Sequence, residues 1–235
     1  VIARSVDEGR SWQLARNGQS KYTHSIAGAP DRGILLAAGV EGHLARSSDD
    51  GRSWSPVPAP EDVYFFSTLY HPASGAFLAA GSFSHILRST DGGKSWQNQR
   101  IAGDATLGQL ILLASGRVLA LSTDAGILYS DDGGASWQAS DADKNVIWLS
   151  LAEDPQSRIV VAAGRDNTLA RSADGGKTWQ KLPDGLGAGI IRVRNLDGVF
   201  LASGNEGSIL RSTDAGRSFE KIMLPVFTTL SDFAQ

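Results

Sequence analysis

Six aspartates recur along the 235-residue chain: Asp7, Asp49, Asp91, Asp132, Asp174 and Asp214, at steps of 42, 42, 41, 42 and 40 residues. Carboxylates so arrayed suggest cation coordination or acid–base catalysis. Their immediate surroundings suggest neither. Each is third in an eight-residue box, S-x-D-x-G-x-[ST]-[WF], written SADGGKTW at Ser172–Trp179 and STDAGRSF at Ser212–Phe219. A calcium loop of the helix-loop-helix kind needs alternating oxygen ligands and a glutamate at its twelfth position, and no copy has that pattern. The residue types suit a tight turn between two strands. Asp accepts hydrogen bonds from main-chain N–H groups a few residues on. Gly at the fifth position supplies a positive φ, and the Ser/Thr hydroxyl at the seventh satisfies another loop group. The last residue (Trp12, Trp54, Trp96, Trp137, Trp179 or Phe219) opens the outgoing strand and folds its ring back over the turn.

The other reactive side chains are scattered. His43 and His85 hold equivalent positions in adjacent repeats, but no third ligand accompanies them, so solvated turn residues are expected rather than a metal site. Arg4, Arg46, Arg88, Arg171 and Arg211 each precede a box serine, with Tyr129 in the sixth place. These arginines are expected to pack their stems between blades and pair near a box. Neither pattern calls for a metal or a cofactor.

The elements that must carry these residues follow from the period. Repeats of about 41 residues with short apolar runs indicate an all-β fold, a β-propeller whose blades are four-stranded antiparallel sheets. The strands are named A to D from the channel outwards. Strand A is expected near Tyr22–Ala27, Val63–Tyr70, Thr106–Leu113, Val146–Ala152 and Ile190–Arg194. The chain reads as one domain over 1–235, opening with a C–D hairpin and ending in a further A strand at Val226–Phe233. Pairing those ends would close six blades; a missing repeat would make seven. Val1 is not a natural start, so processing or truncation is expected.

Composition narrows the function classes. With 22 Lys and Arg against 25 Asp and Glu, the net charge of -3 gives no electrostatic case for nucleic-acid binding. Nothing in the sequence is long and apolar enough to span a membrane. There is no cysteine, so disulfides, thiolate chemistry and Cys-based zinc sites are excluded.

The box resembles the Asp-box, or BNR repeat, of sialidases, sortilin-type receptors, xyloglucan-degrading propeller enzymes and the photosystem II stability/assembly factor-like family. Gly81–Trp96 and Gly204–Phe219 are most similar to the last of these. That resemblance implies an exported, periplasmic or lumenal propeller acting as a non-catalytic assembly or interaction factor. The sialidase resemblance implies an arginine triad and a Tyr–Glu pair. Arg165, Arg192 and Arg194 imitate part of a triad, but Tyr22, Tyr64, Tyr70 and Tyr129 have no evident Glu partner. A glycosidase needs two carboxylates about 5–9.5 Å apart. Glu41, Asp62, Asp124, Asp166 and Glu206 are the available ones, spread over different blades.

The turns opposite the boxes vary: Val40-Glu41, Ser82-Phe83-Ser84, Thr123-Asp124, Arg165-Asp166-Asn167 and Asn205-Glu206. A constant scaffold with variable turns suggests a recognition surface. The expected contacts are Tyr64, Phe83, Trp148, Arg165 and Arg192. Trp148 stands in an innermost strand, set against His24, Phe66, Leu107, Ile191 and Thr229, where a channel-mouth anchor competes with inter-blade packing. The expectation is a scaffold for a protein partner, an assembly or accessory factor for a membrane-associated complex, with glycan binding or hydrolysis as the alternative.

Overall fold

The computed structural model describes residues 2–16, 22–101, 103–183, 189–205 and 207–225, without the side chain of Arg100. The expected A strand at Val226–Phe233 lies outside the described residues, and ring closure with it. The chain forms two compact units, Val1–Leu110 with Asp132–Ser136, and Ile111–Asp131 with Trp137–Gln235.

Each repeat makes its own antiparallel sheet, its strands pairing in chain order. In the first unit, β1 (Ala3–Arg4) pairs with β2 (Gln13–Leu14) as a two-stranded sheet. The second repeat gives β3 (Thr23–Ala29), β4 (Ile34–Gly39), β5 (Leu44–Ser47) and β6 (Ser55–Pro56), with a short 3-10 turn at Pro30–Arg32. The third gives β7 (Phe65–His71), β8 (Ala76–Gly81), β9 (His85–Ser89) and β10 (Gln97–Arg100). The fourth sheet consists of β11 (Leu107–Leu112), β12 (Val118–Ser122), β13 (Gly126–Ser130) and β14 (Gln138–Ala139). In the second unit follow β15 (Trp148–Asp154), β16 (Ile159–Gly164), β17 (Leu169–Ser172) and β18 (Gln180–Lys181). The last repeat gives β19 (Arg192–Leu196), β20 (Val199–Ser203), β21 (Ser208–Ser212) and β22 (Glu220–Met223). The fold is all-β, of the β-propeller class, with one four-stranded blade per complete repeat.

The blades are held by apolar faces packed sheet against sheet. In the first unit Leu36, Leu44, Val63, Phe65, Phe77 and Leu87 form one core. In the second, Phe200, Val193 and Leu210 pack against Val161 and Leu169.

The boxes are tight turns, and their geometry is richer than expected. In the fifth box the Asp174 carboxylate accepts the Thr178 N–H at 2.9 Å and the Thr178 hydroxyl at 2.7 Å. The Ser172 hydroxyl donates to Asp174 at 2.8 Å and accepts the Gly176 N–H at 2.8 Å. Positive φ occurs at two consecutive positions, not only at the expected glycine: 57° at Asp50 and 80° at Gly51, 72° at Gly175 and 83° at Gly176. Two such residues in succession make a type I′ turn, whose twist matches a hairpin. The Trp179 indole N–H donates to the Gly176 carbonyl at 3.0 Å, which is the folded-back ring.

Four of the five arginines that precede a box serine reach the next repeat's turn, and the fifth, Arg211, pairs with Glu220 of its own repeat at 2.7 Å. Arg4 Nε donates to the carbonyl of Asp50 at 2.6 Å, Arg88 to Gly133 at 3.1 Å and Arg171 to Ala215 at 2.8 Å; Arg46 donates likewise to Gly92. Tyr129 has no guanidinium to offer. Arg117, just before β12, takes over, donating to the carbonyls of Asp174 and Gly175 at 2.8 and 2.9 Å. It lies 5.2 Å from the Tyr129 ring centroid and pairs with Asp131 at 2.6 Å.

Hydrogen bonds from the Ser11 hydroxyl and N–H, then from the Ser5 hydroxyl, hold the Asp7 carboxyl down at about 2. Ser53 and Ser218 depress Asp49 and Asp214 in the same way. A lowered folded-state pKa gives stability that is complete above the unfolded value of about 4 and is lost as pH falls towards 2. Urea midpoints should therefore hold steady down to about pH 4.5 and drop below it. Asp49→Asn should be less stable at neutral pH and show a shallower acid loss. A second measurement concerns Gly176. A Cβ there would stand 2.8 Å from the Leu119 side chain at φ +83°, whereas one at Gly108 meets nothing within 4 Å. Gly176→Ala should cost about 2 kcal/mol or more by denaturant unfolding, and Gly108→Ala under about 0.5 kcal/mol.

Candidate functional site

The B–C turns repeat the type I′ backbone with different residues. Glu41 and Gly42 have φ of 51° and 65°, Asp166 and Asn167 of 56° and 60°. Asp, Asn and Gly tolerate this region. At the corresponding place between β8 and β9, Phe83 and Ser84 adopt 53° and 57°. A bulky aromatic there is strained by about 1–2 kcal/mol, and such strain collects at functional positions. Phe83 is 44% exposed.

Hydrogen bonds fix what surrounds Phe83 in the first unit. The Ser82 N–H donates to the Tyr64 carbonyl at 3.0 Å, and the Tyr64 N–H donates to the Ser82 hydroxyl at 3.0 Å. On the other side the Ser84 N–H donates to the Ala105 carbonyl at 2.7 Å. Tyr64, 43% exposed, thus lies at the same end of the sheet as Phe83. Phe66 is 39% exposed and stacks on His24, with centroids 5.7 Å apart and planes 10° apart. Sequence alone places Phe66 only at a strand position set against Trp148, outside the expected contacts. Tyr22, one repeat before Tyr64, is 79% exposed.

In the second unit the residues fare differently. Trp148 is not a surface anchor: it is 6% exposed, lies in a core with Leu121, Ile127 and Leu151, and stacks on Trp179 at 6.4 Å. Its indole N–H donates to the Asp143 carbonyl at 3.1 Å. The reason is a one-residue slip. Trp148 pairs with Gly164 as Phe65 pairs with Gly81 and Thr23 with Gly39, each before a bulge. Trp148 is therefore the counterpart of Phe65 and Thr23, not of Phe66 and His24, and a one-residue shift turns a strand residue to the opposite face. Leu149 occupies the exposed position instead.

Arg165 is exposed on its turn and lines a cavity of about 330 Å³ with Leu149, Asn167, Ile190 and Asn205. Arg192 is half-buried. It pairs with Ser203 where Ser150 pairs with Ala163 in the previous blade, and Ser150 bonds across to the Val193 carbonyl at 3.3 Å.

The remaining candidates are dispersed. Glu41 and Asp62 are exposed in the first unit and Asp124 and Asp166 in the second; Glu206 lies outside the described residues. His43 is buried, and His85 Nδ1 bonds the Asn98 amide at 2.7 Å. Among the described residues no three His, Cys, Asp or Glu side chains gather to hold a metal. None of their helices is long and apolar enough to cross a membrane.

Repeated boxes on four-stranded meanders define an Asp-box β-propeller. The BNR/Asp-box repeat family matches residues 87–98, 128–139 and 170–181, the third, fourth and fifth boxes. No curated protein matches the chain significantly in sequence. Many solved structures share the fold, among them the following three. YCF48 bound to a D1 peptide is 22% identical, with a TM-score of 0.67 over 89% of this chain and 69% of that one. Virginiamycin B lyase from Staphylococcus aureus is 14% identical, with a TM-score of 0.72 over 91% and 73%. The GH74 xyloglucanase from Xanthomonas campestris is 16% identical, with a TM-score of 0.65 over 86% of this chain and 38% of that one. Similarity at this level carries fold and not role.

A strained, exposed aromatic whose ring does not hold the fold together can be replaced without harm. Phe83→Asn should leave stability unchanged or raise it by up to about 1 kcal/mol, because Asn accepts positive φ. A urea midpoint lowered by more than about 1 kcal/mol would show that the ring packs as core.

Proposed function

We propose that this chain is a non-catalytic scaffold that binds a protein partner, serving as an accessory or assembly factor for a membrane-associated complex outside the cytoplasm. The observation that carries this reading is Phe83, a large apolar ring kept exposed at a backbone position that penalises it. Tyr64 beside it, and Arg165 on the equivalent turn of the second unit, are residue types favoured in interface hot spots. The fold is shared with a propeller solved with a peptide bound, which supports the peptide-binding reading by analogy. Tyr64, Phe83, Arg165 and Arg192 are the proposed contacts, with Trp148 reassigned to the core.

A glycosidase would need two carboxylates facing one substrate. Glu41, Asp62, Asp124 and Asp166 are all exposed loop residues, for which turn formation is a sufficient role.

The test is affinity capture from the source organism's membrane and periplasmic extract with wild-type protein and a Phe83→Asn/Arg165→Ala variant. A protein retained by the wild type and depleted at least fivefold with the variant, for a loss of about 1 kcal/mol or more, is the expected result. Identical captures would overturn the site, and hydrolysis of a glycoside panel would overturn the non-catalytic reading.

A further inference from the structure

We propose that the B–C end of the first unit docks an extended, lysine- or arginine-bearing peptide segment, with cationic side chains laid on its exposed aromatic rings and held by carboxylates around them. This rests on the scaffold reading and names the chemistry of the partner.

The aromatic surface is the first observation. Tyr22, Tyr64, Phe66 and Phe83 are all exposed. Tyr64 is tied to the turn that carries Phe83 by two hydrogen bonds, and Tyr22 is tied by its carbonyl to the Val40 N–H at 3.1 Å. Both tyrosines therefore stand beside B–C turns. Aromatic faces attract guanidinium and ammonium groups through their quadrupoles.

Charge at the two ends of the unit is the second observation. The B–C and D–A connections carry Glu41, Glu61, Asp62 and Asp104, all exposed. They converge by backbone bonding: the Gly42 N–H donates to the Val63 carbonyl at 2.8 Å, and Ser84 bonds Ala105. Most of the unit's cations lie at the opposite end, among Asp31 and the box aspartates Asp49, Asp50 and Asp91. Arg32 belongs to the A–B turn, Arg46 and Arg88 grip boxes, and Arg52 and Lys94 lie within boxes. Of the unit's remaining bases, Arg100 closes β10, the exposed Arg16 holds the same place after the first box, and Lys21 precedes Tyr22 in sequence. Counting all three against these four carboxylates, the carboxylates still outnumber the cations. An acidic, aromatic surface complements a basic segment and repels an acidic one, which is selection by charge sign.

The test uses the whole chain and three fluorescein-labelled 12-residue peptides of matched length, rich in Arg, Gln or Glu, followed by fluorescence anisotropy. The expected result is saturable binding of the Arg peptide alone, weakening as salt rises from 50 to 500 mM. Phe83→Asn should weaken it about tenfold, and Glu61→Gln/Asp62→Asn severalfold, with folding checked by urea midpoint. Absence of Arg-peptide binding, equal binding of all three peptides, or affinity untouched by both variants would overturn the proposal. So would saturation of the same rings by a xyloglucan oligosaccharide, or their burial in self-association seen by sedimentation. If the capture experiment still yields a Phe83-dependent partner while the Arg peptide fails, the scaffold stands and only this chemistry falls. If both fail, the scaffold reading falls as well.

Discussion

The structure depends on where one carbonyl points. In each box two successive residues with positive φ turn the peptide group of the fourth residue outwards. A guanidinium from the preceding repeat meets it, as Arg4 meets Asp50 and Arg171 meets Ala215. The aspartate makes this arrangement rigid by collecting the N–H and hydroxyl groups around the turn. A residue that reads as a metal ligand or a catalytic acid is thus occupied in shaping a backbone loop, and its depressed pKa is the trace of that work rather than of catalysis.

Because boxes and arginine grips occupy one end of each sheet, the other end is relieved of structural duty. There the turns keep the same backbone but vary in side chain, with glutamate and glycine at 41–42, phenylalanine and serine at 83–84, and aspartate and asparagine at 166–167. Fold and recognition are separated along the strand direction, so one end can diverge without unfolding the other. This is how unrelated activities come to share a propeller.

The boxes were legible as turns in the sequence because their chemistry is local, although the second positive-φ residue before each glycine was not. Asp, Gly and Ser act on neighbours within four residues, and the period does the rest. The extents of the inner A strands were legible to within two residues, but their register was not. A bulge after Phe65 and after Trp148 shifts the register by one residue, and no residue type announces it. That shift moved Trp148 from a candidate anchor to the core and hid Leu149 and Phe66 as the outward positions. Phe83 was legible as an oddity among acidic turn residues, but its strained backbone was not. The role of Arg117 was not legible either, since it lies at the entry to strand B, where no other described repeat shows a gripping arginine.

Arg117 and Tyr129 bear on how such a protein can be rebuilt. The fourth repeat lacks a strand-C arginine, yet a guanidinium still arrives at the fifth box, carried by the residue before β12 and steadied by Asp131 and the tyrosine ring. The conserved quantity is a charge at a place, not a letter in a column. Averaging the six repeats into a consensus would write arginine at 129 and an apolar residue at 117, where the other repeats carry Ile34, Ala76, Ile159 and Val199; restoring arginine at 129 alone would bring two like charges to one carbonyl. The repeats look like interchangeable parts, but the fourth can be copied or transplanted only with its compensating pair.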